Sequence, residues 1–334
     1  MASIPPIGAF RHGGRLHEAT AAYPDAPWPW LDLSTGINPE PWSGPRAPAD
    51  ALRRLPDPEE LAALERLAAR AFGVDDPGRV VALPGAEAAL RLLPGLIGGD
   101  GTALMAPIYG GHAEAWGARA PRLIASADEA GTADVLVVVN PNNPDGRRIA
   151  RDALAALAGA RSALGHWTIV DESFVEVAPD LSVADLAIER LVVLRSFGKF
   201  YGLPGARLGF VIASKGLARR LRALLGDWPV SADALALGLG AYADEGWRAT
   251  TRRWLALRAA ELDAVLAEAG LEPLGGCDLF RWVAAPDAHH IFSRLAEQGV
   301  LVRPFAEQPD RLRFGLPSQN DFNRLRRALQ RART

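Results

Sequence analysis

The chain has 334 residues, of which 37 are basic and 39 acidic, and its formal net charge is −2. This balance excludes the basic footprint typical of nucleic-acid-binding proteins, and no apolar run approaches the roughly 18 residues of a membrane span. The 49% of hydrophobic and 23% of charged residues are typical of an ordered globular protein with a sizeable core. We therefore expect a cytoplasmic protein without nucleic-acid or membrane partners.

Two residue types are scarce. Cys277 is the only cysteine, so no internal disulfide can form, and no Cys/His spacing resembles a metal site. Lys199 and Lys215 are the only lysines, and every other basic residue is an arginine. Because an arginine side chain always stays protonated, side-chain amine chemistry has only two candidates.

The first 45 residues are rich in Pro, Trp and Gly and predict an extended arm. From Pro58 onward, strands and helices alternate as in an α/β domain with a largely parallel sheet. The run Val135–Val139 is continuously apolar and β-branched, as expected of a strand buried on both faces. The predicted elements are helices at Pro58–Ala71, Ala86–Leu96, Gly111–Gly117 and Arg151–Leu164, and strands at Arg79–Leu83, Thr102–Ala106, Arg122–Ser126, Val135–Val139, His166–Val170, Leu191–Leu194 and Leu208–Ala213.

After Gly226 the pattern predicts a smaller α+β unit. A helical stretch over Ala232–Ala269, broken near Gly246, is followed by strands and two further helices. We therefore expect three parts: residues 1–45 as an arm that belongs to the small domain and forms a wall of the active site, residues 46–230 as the large domain, and residues 231–334 as the small domain. The later predicted elements are strands at Leu279–Val283, Leu301–Arg303 and Leu312–Phe314, and helices at Ala288–Gln298 and from Asn320.

Polar and aromatic side chains follow the predicted strands of the large domain. Ligands of open α/β sheets bind outside the carboxyl ends of the strands, so these residues are candidates for one site. The turn at Gly85, which opens a helix, suits a phosphate, because free backbone N–H groups and the helix dipole favour an anion there. The other candidates at strand ends are Tyr109, Asn140–Gly146, Asp171, Glu172, Ser196, Lys199 and Arg207.

Together these groups match the demands of pyridoxal 5′-phosphate. Its aldehyde requires a lysine amine to form a Schiff base, and its pyridine nitrogen requires a carboxylate that keeps the ring protonated as an electron sink. The ring requires a flat neighbour, the phenolate oxygen a donor, and the phosphate an arginine with further donors. We therefore predict a site for this cofactor at the sheet edge.

The ordered motifs Asn140–Pro144, Asp171-Glu172, Ser196–Lys199 and Arg207 resemble those of the fold-type I pyridoxal-phosphate enzymes, in the histidinol-phosphate aminotransferase group. The resemblance covers nearly the whole chain. It implies an α/β fold, with a large domain around a mixed, mostly parallel sheet, a smaller α+β domain, and a homodimer.

The resemblance also implies a role for each matching residue. The carboxylate of the substrate would be bound by Arg313, with Arg311 as the alternative. The implied cofactor residues are Lys199 as the Schiff-base lysine, Asp171 at the pyridine nitrogen, Asn143 at the phenolate oxygen, Tyr109 stacked on the ring, and Ala86, Glu87, Ser196 and Arg207 at the phosphate. The implied residues around the substrate phosphate are His12, Gly36 and Asn38.

The segments His12–Gly14 and Asp32–Pro39 resemble the decarboxylating members of this group that serve cobalamin biosynthesis. They imply decarboxylation of a small phosphorylated amino acid, L-threonine O-3-phosphate, to (R)-1-amino-2-propanol O-2-phosphate. The same cofactor residues would also serve an aminotransferase acting on a substrate such as histidinol phosphate. A regulator without turnover is a third reading, which the intact Lys199, Asp171 and Arg207 disfavour.

Three positions depart from the pattern of the group. Phe174 replaces a tyrosine near the phenolate oxygen, Gly198 replaces a hydroxyl residue before the lysine, and Leu55 replaces a tyrosine that reaches the partner subunit. We therefore expect Ser196 to carry more of the phosphate binding. His112, His289 and His290 are expected at the surface, without a role.

Overall fold

The computed structural model describes Phe10, residues 12–99 and residues 101–332, which form two compact units. The small unit comprises Met1–Glu40, Pro144–Gly146 and Thr251–Thr334, and the large unit comprises Pro41–Asn143 and Arg147–Thr250. The arm was expected to end at residue 45, five residues after Glu40, where the first part of the small unit ends. The small domain was expected to begin at residue 231, twenty residues before Thr251. The second difference arises because the helix Ala232–Ala243 packs on the helix Pro58–Phe72 within the large unit.

The helices and strands are numbered here in chain order. The helices are α1 Leu16–Ala22, α2 Pro58–Phe72, α3 Ala86–Leu96, α4 Gly110–Trp116, α5 Arg151–Ala163, α6 Phe197–Phe200, α7 Lys215–Leu225, α8 Ala232–Ala243, α9 Glu245–Glu268, α10 Ala288–Ala296 and α11 Phe322–Ala332. The strands are β1 Leu31–Asp32, β2 Val80–Leu83, β3 Thr102–Met105, β4 Arg122–Ile124, β5 Val135–Val139, β6 Trp167–Asp171, β7 Leu191–Ser196, β8 Gly209–Ile212, β9 Pro273–Cys277, β10 Phe280–Ala284, β11 Val300–Leu301, β12 Arg303–Pro304 and β13 Arg311–Gly315.

The large unit is built on a seven-stranded sheet with the order β2-β8-β7-β6-β5-β3-β4. Strand β8 runs antiparallel to both of its neighbours, and the pairs among β7, β6, β5, β3 and β4 are parallel. The predicted mixed, mostly parallel sheet is therefore confirmed. Because the parallel strands share one direction, their carboxyl ends meet at one edge of the sheet.

Local sequence explains how these elements form. Helix α2 begins where the Asp57 side chain accepts a hydrogen bond from the Glu59 N–H, with Pro58 in the first turn, and ends at Gly73 in a left-handed conformation. Strand β5 is buried along its whole length, as its continuous apolar run predicts. On one face of the sheet, apolar side chains of α3 and α7 pack against the strands and form a core. This core fixes the sheet edge that carries the candidate site.

The small unit contains a four-stranded antiparallel sheet with the order β12-β13-β10-β9. Strand β1 pairs in parallel with β11, so that Leu31 lies opposite Val300. The apolar faces of α10 and α11 pack together. This arrangement ties the segment that follows β1 to the C-terminal part of the chain.

Several elements differ from the sequence-based expectation, and α6 and β1 were not predicted. Helix α1 lies within the arm that was expected to be extended, and β9 was not predicted, because Gly275 and Gly276 disfavour a strand by composition. The helical stretch after Ala232 divides into α8 and α9 around Asp244, two residues before the expected break. Among the described residues, none of the helices is both long and apolar enough for a membrane span.

Candidate active site

The predicted phosphate-binding turn lies between β2 and α3. Gly85 has φ of +87°, and a Cβ atom there would lie 2.6 Å from a terminal nitrogen of Arg207. A Cβ atom on Gly209 would lie 2.4 Å from the Ala86 nitrogen, and Gly209 pairs with Ser196 across β7 and β8. The absence of side chains at these two glycines therefore allows Ala86, Ser196 and Arg207 to come together. A backbone N–H at a helix start, a hydroxyl and a guanidinium form a donor set that fits a phosphate.

Tyr109 lies at the start of α4, and its hydroxyl donates a hydrogen bond of 3.4 Å to Glu87. Burial raises the pKa of Tyr109 to about 12, and the negative charges of Glu87 and Asp171 act in the same direction. The phenol therefore stays protonated at neutral pH and serves as a donor. Glu87 also accepts a hydrogen bond of 2.9 Å from Arg91 one helical turn later. The aromatic ring is thus held at the sheet edge beside the phosphate-binding turn.

Asp171 is the last residue of β6 and is buried. One carboxylate oxygen accepts hydrogen bonds from the Ser173 N–H and hydroxyl, at 2.9 and 2.5 Å, and the other lies 2.9 Å from Nε2 of His112. Burial raises the pKa of Asp171, but the hydrogen bond and charge of His112 and the two bonds from Ser173 outweigh it, so the net pKa lies below its usual value. The side chain is therefore an oriented carboxylate at neutral pH.

His112 corrects one expectation from the sequence. It was expected at the surface, but only 1% of the residue is exposed, and it contacts Asp171. The available signal was its spacing, because residues three apart on a helix share a face and His112 follows Tyr109 by three positions. Spacing alone could not show that this face of α4 points toward the end of β6.

A second buried cluster joins the ends of β6 and β7. Arg195 lies 3.3 Å from both Glu172 and Glu176, and its guanidinium carbon is 4.4 Å from the centre of the Phe72 ring. Glu172 also accepts hydrogen bonds from the Ser182 hydroxyl and the Val183 N–H, each at 2.7 Å. Because Glu172 follows Asp171 and Arg195 precedes Ser196, this ion pair fixes two predicted site residues relative to each other.

Lys199 lies in the short helix α6, directly after β7. Its Nζ atom is 5.9 Å from the ring centre of Phe174, which is buried. Packing explains why a glycine precedes the lysine, since a Cβ atom on Gly198 would lie 2.7 Å from the Pro204 Cα atom. A serine or threonine would not fit at that position. The other lysine, Lys215, is exposed and forms an ion pair of 2.7 Å with Asp76.

The loop after β5 is held by side-chain hydrogen bonds. Asn140 donates to the Ile149 carbonyl at 3.0 Å and accepts from the Ile149 N–H at 2.9 Å. Asn142 donates to the Pro107 carbonyl at 2.8 Å, which ties this loop to the end of β3. Asn143, the predicted donor to the phenolate oxygen, follows in the same loop and is half-buried.

The predicted substrate-binding residues cluster within the small unit. Arg313 of β13 is buried and donates a hydrogen bond of 2.8 Å to the Ser34 carbonyl. The Gly14 N–H donates to the Ser34 hydroxyl at 2.8 Å, which places His12 close to the same segment. Gly36 and Asn38 lie in that segment and are buried. The alternative, Arg311, is more exposed and pairs with Asp310.

Known proteins resemble this chain over nearly its whole length. The model of the aminotransferase class I and II family matches residues 43–331. A threonine-phosphate decarboxylase of Sinorhizobium sp. is 40% identical over 329 residues, which cover 96% of this chain and 97% of the relative. A second threonine-phosphate decarboxylase, from Pseudomonas aeruginosa, is 38% identical over 314 residues, covering 92% and 93%.

The same fold occurs in a solved structure. The histidinol-phosphate aminotransferase of Sinorhizobium meliloti, in complex with pyridoxal 5′-phosphate, superposes with a TM-score of 0.81 at 19% identity and covers 100% of this chain and 98% of the other. At that identity the likeness concerns the fold, and it agrees with the fold class that the sequence predicts. Since the family model spans most of the sequence, the chain belongs to the aminotransferase class I and II family.

Proposed function

We propose that the protein is a pyridoxal-phosphate-dependent decarboxylase, which converts L-threonine O-3-phosphate to (R)-1-amino-2-propanol O-2-phosphate in cobalamin biosynthesis. The two threonine-phosphate decarboxylases that match over nearly their full length support this substrate and reaction. The observation that carries the proposal is the buried, hydrogen-bonded carboxylate of Asp171, at the same sheet edge as Lys199 and the phosphate-binding turn.

The residues at this edge fit the cofactor in charge and hydrogen-bonding type. The phosphate would be held by the Ala86 and Glu87 N–H groups, Ser196 and Arg207, since Gly85 leaves room for the guanidinium and Gly209 leaves room for the Ala86 nitrogen. Tyr109 would stack on the ring, and Asn143 would donate to the phenolate oxygen. When bound, pyridoxal phosphate supplies an electron sink for the pair released at Cα.

The residues of the chain then have distinct tasks in the reaction. The Asp171 carboxylate would accept a hydrogen bond from the protonated ring nitrogen, and the Lys199 amine would hold the cofactor through its aldehyde. The Lys199 amine would also be placed to hold a proton for delivery to Cα. Arg313 would bind the substrate carboxylate, while His12, Gly36 and Asn38 would bind its phosphate. Binding energy from that remote phosphate can orient the Cα–carboxylate bond for cleavage.

Product analysis tests the reaction. The purified protein, loaded with pyridoxal phosphate, is incubated with L-threonine O-3-phosphate in the absence of a 2-oxo acid. We expect release of CO₂ and formation of the phosphorylated amino alcohol in equal amounts. Formation of a keto acid that depends on an added 2-oxo acid, without CO₂, would instead identify an aminotransferase.

The assembly state is also part of the proposal. We expect a homodimer in the cytoplasm, because the group that the sequence resembles is dimeric. Light scattering of the eluting protein in size-exclusion chromatography measures the mass directly, and it should be twice the 35.6 kDa of one chain. A mass of 35.6 kDa at working concentrations would contradict the dimer.

A further inference from the structure

We propose that Ser34 is a positioning residue of the substrate site, whose hydroxyl group holds the His12–Gly14 turn in place for the phosphate of the substrate. The inference rests on the proposed function, in which His12 binds that phosphate and Arg313 binds the carboxylate. Ser34 lies two residues after β1 and is buried. The reaction itself requires nothing of this hydroxyl, so its position in the structure needs another explanation.

The Ser34 hydroxyl has a donor on one side and an acceptor on the other. Its oxygen accepts a hydrogen bond of 2.8 Å from the Gly14 N–H, 20 residues earlier in the chain. The hydroxyl donates to the Asp32 carboxylate at 2.5 Å, and the same carboxylate oxygen accepts from the Ser34 N–H at 2.9 Å. Because an ionised carboxylate only accepts, the direction of these bonds is fixed. Asp32 therefore turns the hydroxyl oxygen toward the Gly14 N–H.

Close packing places the turn directly on this segment. A Cβ atom on Gly13 would lie 2.4 Å from the Ser34 carbonyl oxygen, so the approach requires a glycine. The other end of the turn is also anchored, because the Phe10 carbonyl accepts a hydrogen bond from Arg303 of β12. His12 lies between the two anchored points, and Ser34 supplies the second of them.

Ser34 also contacts the group proposed for the substrate carboxylate. Its carbonyl accepts a hydrogen bond of 2.8 Å from Arg313. The hydroxyl of Ser34 thus serves the phosphate end of the site, and its carbonyl serves the carboxylate end. Since the carbonyl belongs to the backbone, it is retained in every substitution. Loss of the hydroxyl alone should therefore weaken binding at the phosphate end only.

Three substitutions and one control separate these contacts. Ser34→Ala removes the acceptor of the Gly14 N–H. Asp32→Ala removes the group that orients the hydroxyl, whereas Asp32→Asn keeps an acceptor oxygen near the same position. As a matched control, Ser318→Ala removes a second serine–aspartate bond of the small unit, in which the Ser318 hydroxyl donates to Asp321 at 2.7 Å.

The experiment measures binding at each end of the site separately. The holoenzyme is titrated with O-phosphoethanolamine, which carries an amine and a phosphate, and with L-threonine, which carries an amine and a carboxylate. The absorbance of the cofactor reports binding of either ligand. Titration of the apoenzyme gives the dissociation constant of pyridoxal phosphate, and steady-state kinetics give kcat/KM for L-threonine O-3-phosphate.

We expect a selective loss in S34A. The dissociation constant of O-phosphoethanolamine should rise about tenfold and kcat/KM should fall by the same factor, as for the loss of one buried hydrogen bond. The dissociation constants of L-threonine and pyridoxal phosphate should stay at the wild-type values. D32A should show the same pattern, D32N should recover most of the loss, and S318A should match the wild type. Circular dichroism and thermal unfolding check that each variant is folded.

Three results would overturn the inference. Equal weakening of O-phosphoethanolamine and L-threonine binding in S34A would show a general structural role. Unchanged binding of both ligands in folded S34A would show that the turn does not depend on the hydroxyl. A wild-type holoenzyme that does not bind O-phosphoethanolamine would remove the phosphate site. If S34A does not fold, the comparison of D32A with D32N decides with the same two ligands.

Failure of the proposed function gives a different result. A wild type that binds O-phosphoethanolamine but releases no CO₂ from L-threonine O-3-phosphate would contradict the proposed reaction. The effect of S34A on O-phosphoethanolamine binding would still test the role of Ser34.

Discussion

Asp171 and Glu172 are adjacent in the chain, yet the pKa values of their buried carboxyl groups are shifted in opposite directions. Burial raises the pKa of both, but His112 and Ser173 more than compensate at Asp171. At Glu172, the charge of Arg195 and the bonds from Val183 and Ser182 lower the pKa by less than burial raises it. Alternation along β6 points the two side chains to opposite faces of the sheet, so they meet different partners. Neighbouring acids thus serve two purposes, one at the candidate site and one in the core.

This contrast predicts the effect of Glu172→Gln on stability. The folded-state pKa of Glu172 is raised, so well below its unfolded value both states are protonated and the side chain costs nothing. As pH rises through the folded pKa, the native protein must hold a buried charge, and stability is lost. The glutamine avoids that cost. The free energy of unfolding of E172Q should therefore increase relative to that of the wild type as pH rises above about 4.5 toward neutrality.

Denaturant unfolding at several pH values measures this difference. The exposed residue Glu60, on the first turn of α2, offers a control. The curve for Glu60→Gln should run parallel to the wild type. If the difference between E172Q and wild type is constant over this range, or shrinks as pH rises, the assignment of a raised pKa to Glu172 is wrong.

The next prediction concerns Gly85 in the phosphate-binding turn, where a side chain should weaken cofactor binding. In Gly85→Ala the new Cβ atom would lie 2.6 Å from the Arg207 guanidinium, at a residue with φ of +87°. The guanidinium can move aside, but it then leaves the position proposed for the cofactor phosphate. We expect the dissociation constant of pyridoxal phosphate to rise at least tenfold, and the positive φ to cost about 1 kcal/mol of stability.

Gly205→Ala is the matched control for this change. Gly205 lies in the turn before Arg207, and a Cβ atom there meets nothing within 4 Å. G205A should bind the cofactor as the wild type does. Equal affinities of G85A and wild type would contradict the placement of the phosphate at this turn.

The two lysines give a prediction with a built-in comparison. Lys199→Ala should abolish turnover while the circular dichroism spectrum stays unchanged, because Lys199 directly follows β7 and the only other lysine of the sequence, Lys215, pairs with Asp76. Lys215→Ala should keep full activity, since Lys215 is exposed and its pair with Asp76 lies at the surface. Borohydride reduction of the loaded wild type, followed by peptide mass mapping, should attach the cofactor to Lys199. Attachment to Lys215, or turnover by K199A, would refute the assignment.

Much of the fold of the large unit could be predicted from local pattern. The bounds of α3 and β5 match the expectation, because a tight glycine turn and a continuous β-branched run leave few alternatives. The direction of β8 could not be predicted, since its apolar residues suit either orientation and pairing with β2 and β7 decides it. Helix α1 was not predicted, for a different reason. Only Ala19 among its residues is buried, so its sequence carries little periodicity.

The candidate site was predicted in part. Strand ends indicated Tyr109, Asp171 and Ser196, because the carboxyl ends of parallel strands meet at one edge. The contacts that orient these groups could not be predicted, since they join residues distant in the chain. His112 with Asp171 is one example, and Arg313 with the Ser34 carbonyl, 279 positions apart, is another. The chemistry was visible in single residues, whereas their orientation required the packing of whole elements.

The substrate carboxylate supplies the last prediction, through the two arginines of β13. Arg313 is buried, with its guanidinium carbon 5.1 Å from the ring centre of Phe280, whereas Arg311 is more exposed and pairs with Asp310. A planar guanidinium held in this way can bind a carboxylate through two parallel hydrogen bonds, which lysine cannot reproduce. Arg313→Lys should raise KM for L-threonine O-3-phosphate about tenfold or more, and Arg311→Lys should leave it unchanged. Steady-state kinetics on both variants decide between the two arginines. A larger effect of R311K on KM would show that Arg311, and not Arg313, binds the substrate carboxylate.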